Sequence, residues 1–247
     1  MAIEPKQLRN KVVLVTGGAK RLGRSAALSL TAAGATVAIT YLRSKDEAET
    51  TLQEIEEIGG QGIAVRCDVT NVSSVRKAVG TVVRRLGGID VLVNNAGTYE
   101  TVAFDELTVP QWDAIFATNV RGPFLVSKEA LPHLRARKGR IINLGSLGGL
   151  RAWASHAHYC SSKAALHMLT KAMAKALAPE IAVNCVAPGM IDLGEKSAAD
   201  FMKRMSKLTP MRRNGSGQDI AAAILFFANM PHFITGQILT VDGGLGL

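Results

Sequence analysis

Seven short apolar runs, each separated from the next by a longer amphipathic stretch, limit what this chain can fold into. The runs Val12–Val15, Thr36–Tyr41, 62–67, Val91–Asn94, Arg140–Leu144, 181–187 and Ile238–Val241 are rich in Val and Ile and are bounded by Gly, Asp, Asn or Pro. Unbroken apolar runs of this length suit strands buried on both faces. Between them, residues 21–33, 45–58, 73–86, 110–131, 156–178 and 218–228 space their apolar side chains at helical intervals. Strict alternation of strand and helix predicts one α/β domain over residues 1–247, a doubly wound seven-stranded parallel sheet with helices on both faces. Ligands of such sheets bind beyond the carboxyl ends of the strands, so those ends carry the functional argument.

Composition removes several function classes. The net charge of +9 is scattered in small clusters, and aromatic residues do not interleave with it. A basic surface serving an anionic cofactor is expected, with no nucleic-acid partner. The Ala-rich stretches are too polar to span a bilayer, and residues 1–11 lack the apolar core of a secretory signal, so no membrane partner and a cytoplasmic location are expected. Cys67, Cys160 and Cys185 form no CxxC pair, and His156 and His158 have no companion at ligand spacing; no metal is expected.

The first strand runs into Thr16-Gly17-Gly18-Ala19-Lys20-Arg21-Leu22-Gly23 and then a helix. Gly17 permits a tight turn, Gly23 lets helix and strand approach, and the helix start offers unpaired N–H groups to a pyrophosphate. Gly17, Lys20, Arg21, Leu22 and Gly23 are therefore candidate phosphate contacts. These residues resemble the short-chain dehydrogenase/reductase family, and the resemblance extends from Lys11 to the C-terminus. Arg21 stands where that family has its middle glycine, as in the pteridine reductase branch. The resemblance implies a Rossmann-type fold.

Where an NAD enzyme usually places an acidic residue at the end of the second strand, this chain has Tyr41-Leu42-Arg43-Ser44-Lys45. Arg43 offers charge-assisted bonds of about 1.5–3 kcal/mol each to a 2′-phosphate, and Ser44 adds a hydroxyl while capping the next helix. NADP(H) is the expected cofactor, with Tyr41 beside it. The resemblance assigns Asp68 to the adenine amino group, with Val69 next to it, and Asn95, Ala96 and Gly97 to the adenosine ribose side.

Tyr159 and Lys163 stand four apart on an expected helix, hence on one face. A free phenol titrates near ~10, and a nearby ammonium favours its ionised form. In the family, Lys163 would also hold the nicotinamide ribose, Ser146 would polarise the substrate carbonyl, and Asn119 would anchor a water relaying protons to Lys163. Pro188 and Gly189 resemble the segment covering the nicotinamide. Ile191 begins Ile191-Asp192-Leu193-Gly194, where a pyrophosphate-binding Thr is usual. Met190 opens a mobile substrate lid over residues 190–208, and Met190, Tyr99, Ser146 and Tyr159 are the candidate substrate contacts.

The substrate is left open between two reductions. Arg21, Arg43, Ser44 and Tyr99 resemble pteridine reductases, whereas Ser146 suits ketone reductases such as those acting on 3-oxoacyl groups linked to a carrier protein, the favoured reading. A catalytically silent dinucleotide sensor or scaffold is the alternative of another class. Family members commonly form tetramers, and Ala164, Ala165, Ala172 and Ala176 would let helices 156–178 approach closely in a homotetramer.

Overall fold

The computed structural model describes residues 8–247. Of the polar start expected over residues 1–11, residues 1–7 lie outside the described residues. The strands are β1 (Val12–Val15), β2 (Thr36–Tyr41), β3 (Gln61–Arg66), β4 (Val91–Asn94), β5 (Arg140–Leu144), β6 (Ala182–Pro188) and β7 (Ile238–Val241). They form one sheet in the order β3-β2-β1-β4-β5-β6-β7, and every pairing is parallel. The chain leaves β1 toward β2 and β3, then returns to β4 on the other side of β1. The crevice between β1 and β4 is thus the switch point at which such sheets bind ligands.

The central strands feed two cores because successive side chains point to opposite faces. Val13 and Val15 pack with Leu30 of α1 (Arg21–Ala32), Ile55 of α2 (Lys45–Glu57) and Ile224 of α8 (Gly217–Asn229). Val12 and Leu14 pack instead with Val79 of α3 (Val72–Leu86), Leu134 of α5 (Gly122–Ala136) and Leu177 of α6 (Ala157–Leu177). That two-sided burial is why β1 reads as four consecutive apolar residues rather than an alternating pattern.

The expected helix 110–131 is divided. α4 (Val109–Phe116) starts with a Thr108–Gln111 capping box, a π turn follows at Ala117–Arg121, and α5 begins at Gly122. Pro123 supplies the reason: it has no N–H, so the carbonyl four residues back, on Asn119, loses its α-helical donor. Insertion of one extra residue in the turn is the usual accommodation, and such turns concentrate at functional sites.

One further expectation is corrected. Ser44 occupies the N-cap position of α2 but its side chain makes no capping bond, its ψ of 65° lying outside the usual extended cap geometry. The segment 190–208, where a lid is expected, ends in the amphipathic helix α7 (Ala199–Leu208), none of whose residues is fully buried.

A polar network fixes the carboxyl ends of β4 and β5. Asn94 Nδ2 donates to Ser127 Oγ of α5 at 3.0 Å and to Asn143 Oδ1 at 2.9 Å, and Asn143 Nδ2 donates to Thr170 Oγ1 of α6 at 2.8 Å. All four groups are buried, so removing any partner leaves a polar atom without solvent. α5 and α6 are thereby tied to the sheet just below the site.

Candidate active site at the carboxyl edge of the sheet

The loop after β1 is held from the opposite side of the crevice. Thr16 Oγ1 accepts the N–H groups of Asn95 and Ala96, each at 3.0 Å. Asn95 Nδ2 donates to the carbonyls of Thr16 at 2.8 Å and Gly17 at 2.9 Å. Gly17 has φ +63°, and a Cβ on Gly23 would collide with the Gly17 carbonyl, so both glycines have the roles their spacing predicts. The side chain of Asn95 therefore shapes the loop rather than standing free for a ribose.

α1 begins with no side-chain cap and no acidic residue in its first turn. Its N-terminal N–H groups and partial positive charge are suited to an anion. Arg21 adopts φ +53°, a conformation costing about 1–2 kcal/mol for a residue with a Cβ. Its guanidinium pairs with Glu195, linking the loop to the segment before α7, while Lys20 Nζ lies 3.6 Å from Glu47. At the end of β2, Arg43 is exposed, and Arg66 of the neighbouring strand donates to the Leu42 carbonyl at 3.3 Å. Asp68 Oδ1 accepts from Thr70 N at 2.9 Å and Thr70 Oγ1 at 2.7 Å, fixing the loop that carries Val69.

Across the crevice, Ser146, Tyr159 and Lys163 come together. Ser146 follows β5 and is buried; its Oγ accepts Gly148 N at 3.0 Å. Burial raises the Tyr159 pKa, the hydrogen bond with Ser146 opposes this, and the neighbouring Tyr99 and Cys160 add to the rise. Lys163 is only 7% exposed; its Nζ donates to the Leu144 carbonyl at 2.8 Å and lies 5.8 Å from the Tyr159 ring centre. Burial lowers the Lys163 pKa to about 8. Burial of the phenol therefore sets the direction of its pKa, and the Lys163 ammonium is directed at the Leu144 carbonyl.

The Asn119 side chain is fully engaged. Its Nδ2 donates to the Thr98 carbonyl at 2.9 Å and to Ser162 Oγ at 3.1 Å, and its Oδ1 accepts Thr98 N at 2.8 Å. Its main-chain carbonyl lies in the π turn, where regular α-helical pairing is interrupted. Gly97 lies between Asn119 and Lys163, with room for no more than a close contact. Gly189 packs against Asp242, Met190 is half-buried, and Ile191 points into the core, so only the main chain of Ile191 can face a ligand.

Aromatic rings surround Tyr159. Tyr99, 58% exposed, stacks on His156 at 5.0 Å and meets Tyr159 edge-on at 5.0 Å, its hydroxyl 2.6 Å from His156 Nε2. Trp153 lies near-parallel to Tyr159 at 6.4 Å. Trp153 escaped the sequence reading and His156 was weighed there only as a metal ligand, although both fall in the thirteen-residue interval between Ser146 and Tyr159. Among the described residues no cluster of three or more metal-ligating side chains occurs, and no helix is long and apolar enough to cross a membrane.

Residues 17–246 match the family model described as Enoyl-(Acyl carrier protein) reductase. The chain belongs to the short-chain dehydrogenase/reductase family. It is 38% identical over 241 residues to a 3-oxoacyl-[acyl-carrier-protein] reductase of Staphylococcus epidermidis, covering 96% of this chain and 99% of that one. A short-chain dehydrogenase/reductase from Serratia marcescens superposes with a TM-score of 0.93 at 36% identity, covering 98% and 100% of the two chains. A short chain dehydrogenase from Burkholderia cenocepacia, in complex with NADP, gives 0.91 at 36% identity with the same coverage.

Burial of Lys163 in this short-chain dehydrogenase/reductase has a measurable consequence. A lysine whose pKa falls from 10.5 unfolded to about 8 folded binds fewer protons in the folded state between those values. Its destabilising contribution is complete below about pH 8 and fades as pH rises toward 10.5. Lys163→Met should therefore raise stability at pH 7, by roughly 1–3 kcal/mol, and the gain should shrink by pH 10. Urea denaturation at the two pH values checks this; an equal gain at both would contradict it.

Proposed function

We propose that the protein is an NADPH-dependent carbonyl reductase in which Tyr159 donates the proton. The observation that carries this reading is the buried grouping of Ser146, the Tyr159 phenol and Lys163, across the switch-point crevice from an uncapped helix N-terminus. The residues fit a dinucleotide: the loop between Gly17 and Gly23 is a cradle that a Cβ would fill, and α1 presents N–H groups to a pyrophosphate. The short chain dehydrogenase from Burkholderia cenocepacia in complex with NADP supports the same cofactor. Arg43 and Ser44 would receive the 2′-phosphate, with Tyr41 alongside, and the second oxygen of Asp68 the adenine amino group. The Ala96 and Gly97 backbone would flank the adenosine ribose, and Lys163 would hold the nicotinamide ribose.

When bound, NADPH supplies the hydride. Ser146 Oγ then holds the substrate oxygen, and the Tyr159 hydroxyl gives its proton to that oxygen as the carbonyl carbon is reduced, leaving an alcohol and a phenolate. The ammonium of Lys163 stabilises that phenolate, and a water on the Asn119 carbonyl replaces the proton. The raised Tyr159 pKa keeps the donor protonated at neutral pH until charge develops.

A 3-oxoacyl group on an acidic carrier is the substrate best supported, by the Staphylococcus relative, by Ser146 and by the net charge of +9. The exposed Tyr99 ring beside Tyr159 favours a second reading, a flat substrate such as an oxidised pterin. Assembly is part of the proposal: Ala164, Ala172 and Ala176 lie exposed on α6, available for close helix packing in a homotetramer. A monomer in light scattering at micromolar concentration would remove that part.

Tyr159→Phe should preserve NADPH affinity while lowering the catalytic constant by about 10²–10⁴, with Ser146→Ala costing less. Retention of most activity by Tyr159→Phe on the best substrate among β-ketoesters, quinones and pterins would reject the proton assignment. For the cofactor, calorimetry should show NADPH binding more tightly than NADH, and Arg43→Asp should reverse the order. Equal affinities in the unaltered protein would defeat the role given to Arg43.

A further inference from the structure

We infer that His167 is a positioning residue for Ser146, its Nε2 receiving the Ser146 backbone N–H and so fixing where the Ser146 hydroxyl points. The inference rests on the role proposed for Ser146 above. His167 follows Lys163 by four residues and Tyr159 by eight, on the face of α6 turned to the sheet, and is 4% exposed. Its Nε2 lies 3.4 Å from Ser146 N.

Packing alone does not account for an imidazole here. Nδ1 is buried without a partner, a cost of about 1–3 kcal/mol that an apolar side chain of similar size would avoid. An acceptor at Nε2 puts the proton on Nδ1, so the ring holds the less comfortable tautomer to serve the Ser146 amide. Burial first, then Lys163 and Lys171, lower its pKa to about 4, and Nε2 keeps its lone pair at neutral pH.

The loop cannot move away from this ring or toward it. A Cβ on Gly145 would collide with His167 Nε2, and one on Gly149 would come within 2.6 Å of His167 Cε1. Three consecutive residues are gripped in turn. Leu144 O accepts from Lys163 Nζ at 2.8 Å, Gly145 N donates to Val186 O at 2.7 Å, and Ser146 N donates to His167. α6 thus holds the serine loop at two points, one of which is His167.

The test combines amide exchange at Ser146, followed by NMR, with NADPH oxidation on ethyl acetoacetate. In His167→Gln the amide oxygen can reach the place of Nε2; in His167→Leu no acceptor remains. The Leu variant should speed Ser146 amide exchange and lower kcat, each by about tenfold, with NADPH affinity unchanged within about twofold. The Gln variant should stay within about threefold of the unaltered protein. In a Ser146→Ala background His167→Leu should add no further loss, since both act through one group. Unchanged Ser146 exchange in the Leu variant, or a full additional loss on top of Ser146→Ala, would overturn the inference. Full activity of Ser146→Ala would instead reject the role of Ser146 in the proposed function, and amide exchange would still decide the contact at His167. Should His167→Leu fail to fold, imidazole ¹⁵N shifts of the unaltered protein decide: a protonated Nδ1 with bare Nε2 is expected from about pH 5 to 9, and the opposite tautomer would overturn the inference.

Discussion

The bond from the Lys163 ammonium to the Leu144 carbonyl is the contact on which the rest of the site depends. A cation taken out of water is tolerated only where a polar partner is fixed in advance. Here the partner is the last carbonyl of a central strand, in a sheet that cannot shift. The bond anchors α6, and through α6 it sets Tyr159 one turn earlier and His167 one turn later. Asn143 and Thr170 add a second tie between β5 and the same helix. The arrangement costs stability near neutral pH, since burial works against the charged lysine, and the cost is localised where the chemistry is proposed.

A second clamp faces the first across the crevice. Thr16 and Asn95 bind β1's loop to β4's, leaving the N-terminus of α1 open while its glycines keep the floor of the cradle shallow. The Thr16–Asn95 clamp spans the switch point between β1 and β4, and the Lys163–Leu144 bond lies on the adjacent strand β5, so the cradle at α1 and the Ser146–Tyr159 site share one edge of the sheet. Arg21 and Glu195 connect this cradle to the segment before α7.

Much of this was legible in the residues. Parallel strands buried on both faces leave continuous Val and Ile runs, so all seven strands were found within a residue or so at each end. The proposed site rests on the Tyr159–Lys163 spacing and the loop from Gly17 to Gly23. Other features depend on contacts that sequence spacing does not encode. Pro123 was visible, but whether it would end the helix or force a π turn depends on packing around Asn119. Ser44 has the right chemistry for a cap and the wrong backbone angle. The effect of Lys163 on Tyr159 was read from spacing alone, whereas the direction of the ammonium and the depth of burial decide it. His167 shares the helical face of both catalytic candidates, a signal present in the sequence and recognisable only once Ser146 is seen above it.

The account stands on direct transfer of hydride to the substrate carbon, with the second hydrogen coming through Tyr159. Reduction of a β-ketoester with NADPH deuterated at the transferring position of the nicotinamide, followed by mass spectrometry and NMR of the product, measures this most directly. Deuterium is predicted on the carbinol carbon, one atom per turnover, with the hydroxyl hydrogen drawn from solvent. A product whose carbinol carbon carries only solvent hydrogen would contradict the account.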